Sequence, residues 1–150
     1  YKSNGRGIYH CLNEKDVEQI MTHPHVMHAS DGGTIDFGKA NPHPRNYGTF
    51  PRILGRYVRE RKIISIEESI RKMTQLPASV LGLTDRGLLK KDFWADLIIF
   101  DPDNIIDNST WENPHQYPSG IDWVIVNGNI SLENGNPSKN LYGKVLTHHE

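Results

Sequence analysis

The chain changes period part-way along, and that change limits what it can fold into. Up to about residue 83 the apolar residues recur at helical spacing. From Arg86 onward they run in short β-prone stretches. Residues 1–12 read as a loop entering a helix. Asn13 is placed to cap that helix, with Glu14 and Asp16 in the first turn, where the helix dipole favours acids. Val17, Ile20 and Met21 give its apolar stripe, and His23-Pro24 ends it. Ile53, Leu54, Tyr57 and Val58 form a second stripe, on a helix expected to open at Phe50-Pro51 with Thr49 as cap. Ile66, Ile70 and Met73 form a third, behind the capping-box spacing of Ser65 and Glu68. Pro77 is expected to start a short further turn closed by Gly82. Beyond the change, residues 95–100 read as a buried strand. Asn127-Gly128, between two β-rich runs, reads as a hairpin turn. A boundary is therefore expected between residues 1–85 and 86–150.

Composition excludes several classes. Hydrophobic residues make up 36% and charged residues 23%, values of a globular rather than a disordered chain. The formal net charge of -1 argues against broad attraction to nucleic acid or membrane surfaces. No apolar run approaches the ~20 residues needed to span a bilayer. The basic cluster from Arg56 to Lys62 is expected to be a solvated helix face. Cys11 is the single cysteine, so no internal disulfide forms. It is either a nucleophile or, more simply, a small packed thiol. A reducing, cytoplasmic setting fits that usage.

One carboxylate stands out as a candidate functional group. Residues 25–30 read as a strand, and Asp31 follows at its tip, just before Gly32-Gly33. His28 would then face packing helices. Three roles are open to Asp31: turn former, metal ligand, and general base toward a metal-bound water. Residues 31–50 read as a long polar loop, rich in glycine and proline at its start, and loops of that length are often functional. It carries His43-Pro44-Arg45. A guanidinium is the natural partner of a substrate carboxylate, because its planar fork matches two oxygens, although a surface-loop arginine is the plainer reading. Tyr47 offers a hydroxyl or simply packs. His23, His25 and His28 do not make a metal site by themselves: Pro24 intervenes, and His28 faces the other way on a strand. His148 and His149 read as a solvated tail.

The segments Ser30-Asp31-Gly32, His43-Pro44-Arg45, Tyr47-Gly48-Thr49-Phe50-Pro51-Arg52 and Leu54-Gly55-Arg56-Tyr57 resemble the C-terminal part of N-acyl-D-amino-acid deacylases. The resemblance runs on through Arg71-Lys72-Met73-Thr74, Trp94-Ala95-Asp96-Leu97 and Val126-Asn127-Gly128, covering most of residues 14–146. These deacylases belong to the metal-dependent amidohydrolases. The resemblance implies an α/β plus β fold. Residues 1–85 would be the C-terminal part of a distorted (β/α)8 barrel, with its last strand and helices, and residues 86–150 part of a small β-sandwich. It further implies a metal-assisted hydrolase of linear amides acting on a small N-acyl-D-amino acid, with zinc or a similar divalent metal. Asp31 would be the catalytic residue and a metal ligand, while Arg45, His43 and Gly32 would contact substrate. The remaining ligands are expected upstream of Tyr1. No nucleic-acid or membrane partner is expected. The 150 residues alone are expected to be inactive and to self-associate through exposed barrel surfaces. A cyclic amidohydrolase of the dihydroorotase or hydantoinase kind, and a non-catalytic scaffold, are the alternatives.

Overall fold

The computed structural model describes residues 11–147. Most of the expected N-terminal loop, and His148 and His149, lie outside them. Four α-helices come first: α1 Glu14–Thr22, α2 Arg45–Arg52, α3 Ile66–Met73 and α4 Gln75–Val80. Four strands follow: β1 Leu97–Phe100, β2 Ile121–Val126, β3 Asn129–Glu133 and β4 Asn136–Pro137. They form one antiparallel sheet in the order β1-β2-β3-β4.

Local chemistry explains most helix ends. The Asn13 side chain accepts the Lys15 N–H at 2.9 Å and starts α1. The Ser65 hydroxyl accepts the Glu68 N–H at 3.2 Å and starts α3. The Glu68 carboxylate turns to Arg71 at 2.7 Å instead of completing the box. Gly82 closes α4 with a positive φ of 71°.

α2 departs from expectation. It starts at Arg45, inside the stretch read as loop, so Thr49 lies within the helix and donates back to the Arg45 carbonyl at 3.0 Å. Pro51 is interior, and without an N–H it cannot bond the carbonyl four residues back. Directly after it the helix widens into a π-helical segment, Ile53–Glu60, whose end shows the five-residue spacing: Arg61 N–H to Arg56 C=O, 2.9 Å.

The core lies where this helix meets α1. Met21, Ile53, Tyr57 and Ile64 are buried together, with Val17, Val58, Ile63 and Met73 packed around them. Burying each large apolar side chain contributes about 1.5–3 kcal/mol. Ile20, Ile66 and Ile70 stay out of this cluster. The face α3 buries carries Ser69 and Lys72 instead, both 0% exposed. The Lys72 ammonium sits on the C-terminal end of α1, donating to the carbonyls of Met21 and, at 2.6 Å, His23. The basic cluster is a seam rather than a solvated face. Arg61 pairs with Glu14 at 3.1 Å and with Glu18, and Arg59 donates to the Ile105 carbonyl at 2.6 Å.

Two further expectations are corrected. Residues 25–30 form no strand, because no neighbouring strand is present to pair with them among the described residues; the His28 N–H bonds the Lys72 carbonyl at 3.2 Å. β1 is not buried: it pairs with β2 alone, and Ile98 and Ile99 are 59% and 51% exposed. The hairpin is as expected. Asn127 and Gly128 have φ of 49° and 79°, the type I′ signs, and Asn134-Gly135 repeats the pattern between β3 and β4. The first turn is anchored. Asp96 accepts the Asn127 N–H at 2.7 Å, and Arg86 bonds both Asp96 and the Asn127 side chain.

Candidate active site

The segment around Asp31 is stitched to the first turn of α2. The Ser30 hydroxyl donates to the Arg45 carbonyl at 3.2 Å and accepts the Gly32 N–H at 3.1 Å. The Asn46 side chain donates to the Gly33 carbonyl at 2.9 Å. The approach is too close for a larger residue at position 32: a Cβ there would sit 2.7 Å from Ser30 Oγ and 3.1 Å from Asn46 Cα. Asp31 itself takes a left-handed backbone, φ 48°, which aspartate tolerates better than most residues.

That backbone turns the Asp31 carboxylate outward, 87% exposed, into a 2.7 Å ion pair with Arg45 Nη2. The sequence-expected Asp31 and Arg45 are thus brought together. His43 is beside them with a structural task. Its Nδ1 accepts the Arg45 N–H at 3.0 Å, filling the capping place that Pro44 leaves empty, and its ring meets Trp111 edge-on at 4.5 Å. Gly32 provides the close approach, and its N–H is engaged by Ser30.

A cleft of about 480 Å³ opens between α2 and residues 107–111, lined by His43, Arg45, Thr49, Arg52, Asp107 and Trp111 among others. Arg52 pairs with Asp107 at 3.1 Å on its floor. Burial works against the Arg52 charge, but Asp107 outweighs it and holds the guanidinium pKa above its usual value. The sequence reading missed Asp107 and Trp111. Both are more than fifty residues from α2 along the chain, and no local pattern marks them.

The loop after Asp31 closes on the second half of the chain. Phe37 stacks on Tyr117 with centroids 4.9 Å apart, and Tyr47 meets both rings edge-on. His115 sits in the same group, 2.9 Å from the Tyr47 hydroxyl through Nδ1. Ala40 in this loop has φ 55°, a left-handed conformation that costs a non-glycine residue about 1–2 kcal/mol.

Among the described residues no group of three or more His, Cys, Asp or Glu side chains converges. A zinc site needs at least three protein donors, so these residues do not hold one unaided. His23 and His25 lie near each other, with ring centroids 5.7 Å apart, while His28 lies against α3, though not from the strand that was expected to carry it. Cys11 is exposed. No helix among the described residues is long and apolar enough to cross a membrane.

Comparison with known proteins gives a consistent result. A profile described as the amidohydrolase family matches residues 4–132. An N-acyl-D-glutamate deacylase of Alcaligenes xylosoxydans xylosoxydans is 44% identical over 87% of the chain and 26% of its own length. A solved D-aminoacylase, studied for its binuclear metal centre, superposes with a TM-score of 0.86 at 38% identity, over 91% of this chain and 28% of that one. An N-acyl-D-glutamate deacylase from Bordetella bronchiseptica, solved with zinc and a phosphonate inhibitor, gives 0.76 at 41% identity, over 88% and 28%. A dihydroorotase of Lactobacillus johnsonii aligns at 32% identity over only 52% of the chain and 18% of its length. The chain spans about a quarter of the length of the curated deacylases it matches.

Proposed function

The chain belongs to the amidohydrolase family, and from that premise we propose that it supplies part of the active site of an N-acyl-D-amino-acid deacylase. The observation that carries this reading is the Asp31–Arg45 pair, 2.7 Å apart and open to solvent on a stitched scaffold. Hydrolysis adds water across the amide: a C–O bond forms, the C–N bond breaks, and a proton moves from water to the leaving amine. Asp31 carries that proton as base and then acid. Arg45 holds the substrate carboxylate, exchanging one carboxylate partner for another. His43 orients Arg45 through its backbone N–H, and Gly32 lets the Asp31 segment approach the first turn of α2, beside the substrate. A divalent metal of the zinc type supplies Lewis acidity when bound. Its other donors come from outside the described residues, with Asp31 the one contribution among them.

The finer architecture belongs to the same proposal. Residues 1–85 are the closing part of a (β/α)8 barrel, and residues 86–150 are strands of a small β-sandwich. The helices before residue 81 and the antiparallel sheet after residue 96 support that division. A cytoplasmic setting rests on the single cysteine. The shorter, weaker match to a dihydroorotase leaves the cyclic-amide reading second.

The test compares metal content and turnover of N-acetyl-D-glutamate by this chain and by a longer version carrying the rest of the barrel. The longer protein alone is expected to bind zinc and turn over. Asp31→Asn in it should lower kcat by about 10²–10⁴-fold, the usual contribution of general acid–base catalysis. Near-wild-type turnover by that variant, with its fold intact, would remove Asp31 from the mechanism.

A further inference from the structure

We propose that His115 is a positioning residue that pins the 31–43 loop and thereby sets how substrate is held; the link to substrate rests on the deacylase reading above. Three hydrogen bonds converge on one imidazole. The Gly38 N–H reaches Nδ1 at 3.1 Å, the Tyr47 hydroxyl reaches the same atom at 2.9 Å, and Nε2 faces the Ala40 carbonyl at 3.1 Å. A backbone N–H only donates, so Nδ1 carries no proton. A carbonyl only accepts, so Nε2 carries one. The ring proton therefore sits on Nε2, and the Tyr47 hydroxyl donates to Nδ1. Burial, with Tyr117 nearby, raises the Tyr47 pKa and keeps that phenolic proton in place.

The two backbone contacts fall on the two left-handed residues in the middle of the loop. Gly38 and Ala40 both have positive φ, at 80° and 55°. An alanine persists in that conformation only where its surroundings over-determine it, and here the surroundings are the His115 ring. Phe37 reinforces the contact by packing against the same ring at 5.4 Å. The loop begins at Asp31 and ends at His43, which caps the helix bearing Arg45. A residue over seventy positions downstream thus fixes the segment joining the two proposed substrate-facing groups.

Two variants separate this role from a general one in folding. His115→Phe keeps the aromatic packing and loses every polar contact. His115→Asn puts a carbonyl oxygen where Nδ1 stood and keeps the bond to Gly38. Amide hydrogen exchange on the chain itself reads the pin without any turnover. Exchange at Gly38 should quicken about tenfold or more in His115→Phe and stay near wild type in His115→Asn, with α1 and α3 unchanged in both. In the longer enzyme, His115→Phe should raise KM for N-acetyl-D-glutamate about tenfold, as part of the worth of its three lost hydrogen bonds passes to substrate binding. Its kcat should stay within about threefold, and His115→Asn should recover most of the KM. Unchanged Gly38 exchange in His115→Phe would overturn the pin. Faster exchange with an unchanged KM would overturn its link to substrate. If the wild-type longer chain fails to turn over, the deacylase reading falls, and the exchange result still judges the pin.

Discussion

The His28 imidazole lies against α3, and burial lowers its pKa from the usual histidine value; Lys72 adds to that effect and Glu68 opposes it. The sign of the consequence follows from proton counting. As pH falls through about 6.5, the unfolded chain takes up a proton that the folded chain resists. Stability from this residue is therefore complete above that value and is lost as pH drops toward the lowered folded pKa. Urea midpoints measured between about pH 7.5 and about pH 5.5 should fall in the wild type and fall less in His28→Gln. Equal slopes in the two proteins would mean that other groups carry the acid sensitivity. Lys72 shares this environment with a different outcome. Burial lowers its pKa too, but two carbonyls at the end of α1 accept hydrogen bonds from its ammonium, so its charge has a structural use.

At the scale of the element, what could be read ahead depended on how far each signal reaches. The caps at Asn13 and Ser65 and the turn at Asn127-Gly128 are contacts between near neighbours, and all three were readable from short words of sequence. The start of α2 was not, because its cap is a histidine side chain two residues ahead of Arg45 and the first turn is polar. The strand at residues 25–30 was misread for another reason: pairing is a property of two segments, and no partner lies beside this one among the described residues. The burial of β1 failed likewise, since one face of an edge strand is decided by what covers it. The hairpin offers a direct measurement. Gly128 has φ 79°, so Gly128→Ala should lower stability by about 1 kcal/mol, read as a shift in the urea midpoint without change in slope. A shift near zero would show the turn to be free to rearrange.

For the whole molecule the telling quantity is surface. The chain exposes 11223 Å², whereas a compact monomer of 17.1 kDa exposes about 7,700 Å² by the usual scaling. The excess is of the order of an obligate interface. Large apolar residues on it, among them Leu81, Leu89, Ile98 and Leu141, fit a surface meant to be covered. The isolated chain should therefore self-associate, and sedimentation velocity at micromolar concentration should show species larger than a monomer. A clean monomer that binds no hydrophobic dye would contradict this. Of the residues gathered around the candidate site, some were singled out in advance and others were not, for the same reason of reach. Asp31 and Arg45 sit in recognisable words fourteen residues apart, whereas Asp107, Trp111 and His115 arrive by folding from the far half of the chain.

The stitching around Asp31 has a consequence for inheritance. Ser30, Gly32 and Asn46 fasten the Asp31–Arg45 pair at the root of the loop, while Thr34 and Ile35 beyond it contribute none of those fastenings. The root is held without help from that short stretch, so inherited changes at Thr34 or Ile35 should leave the geometry of the pair in place.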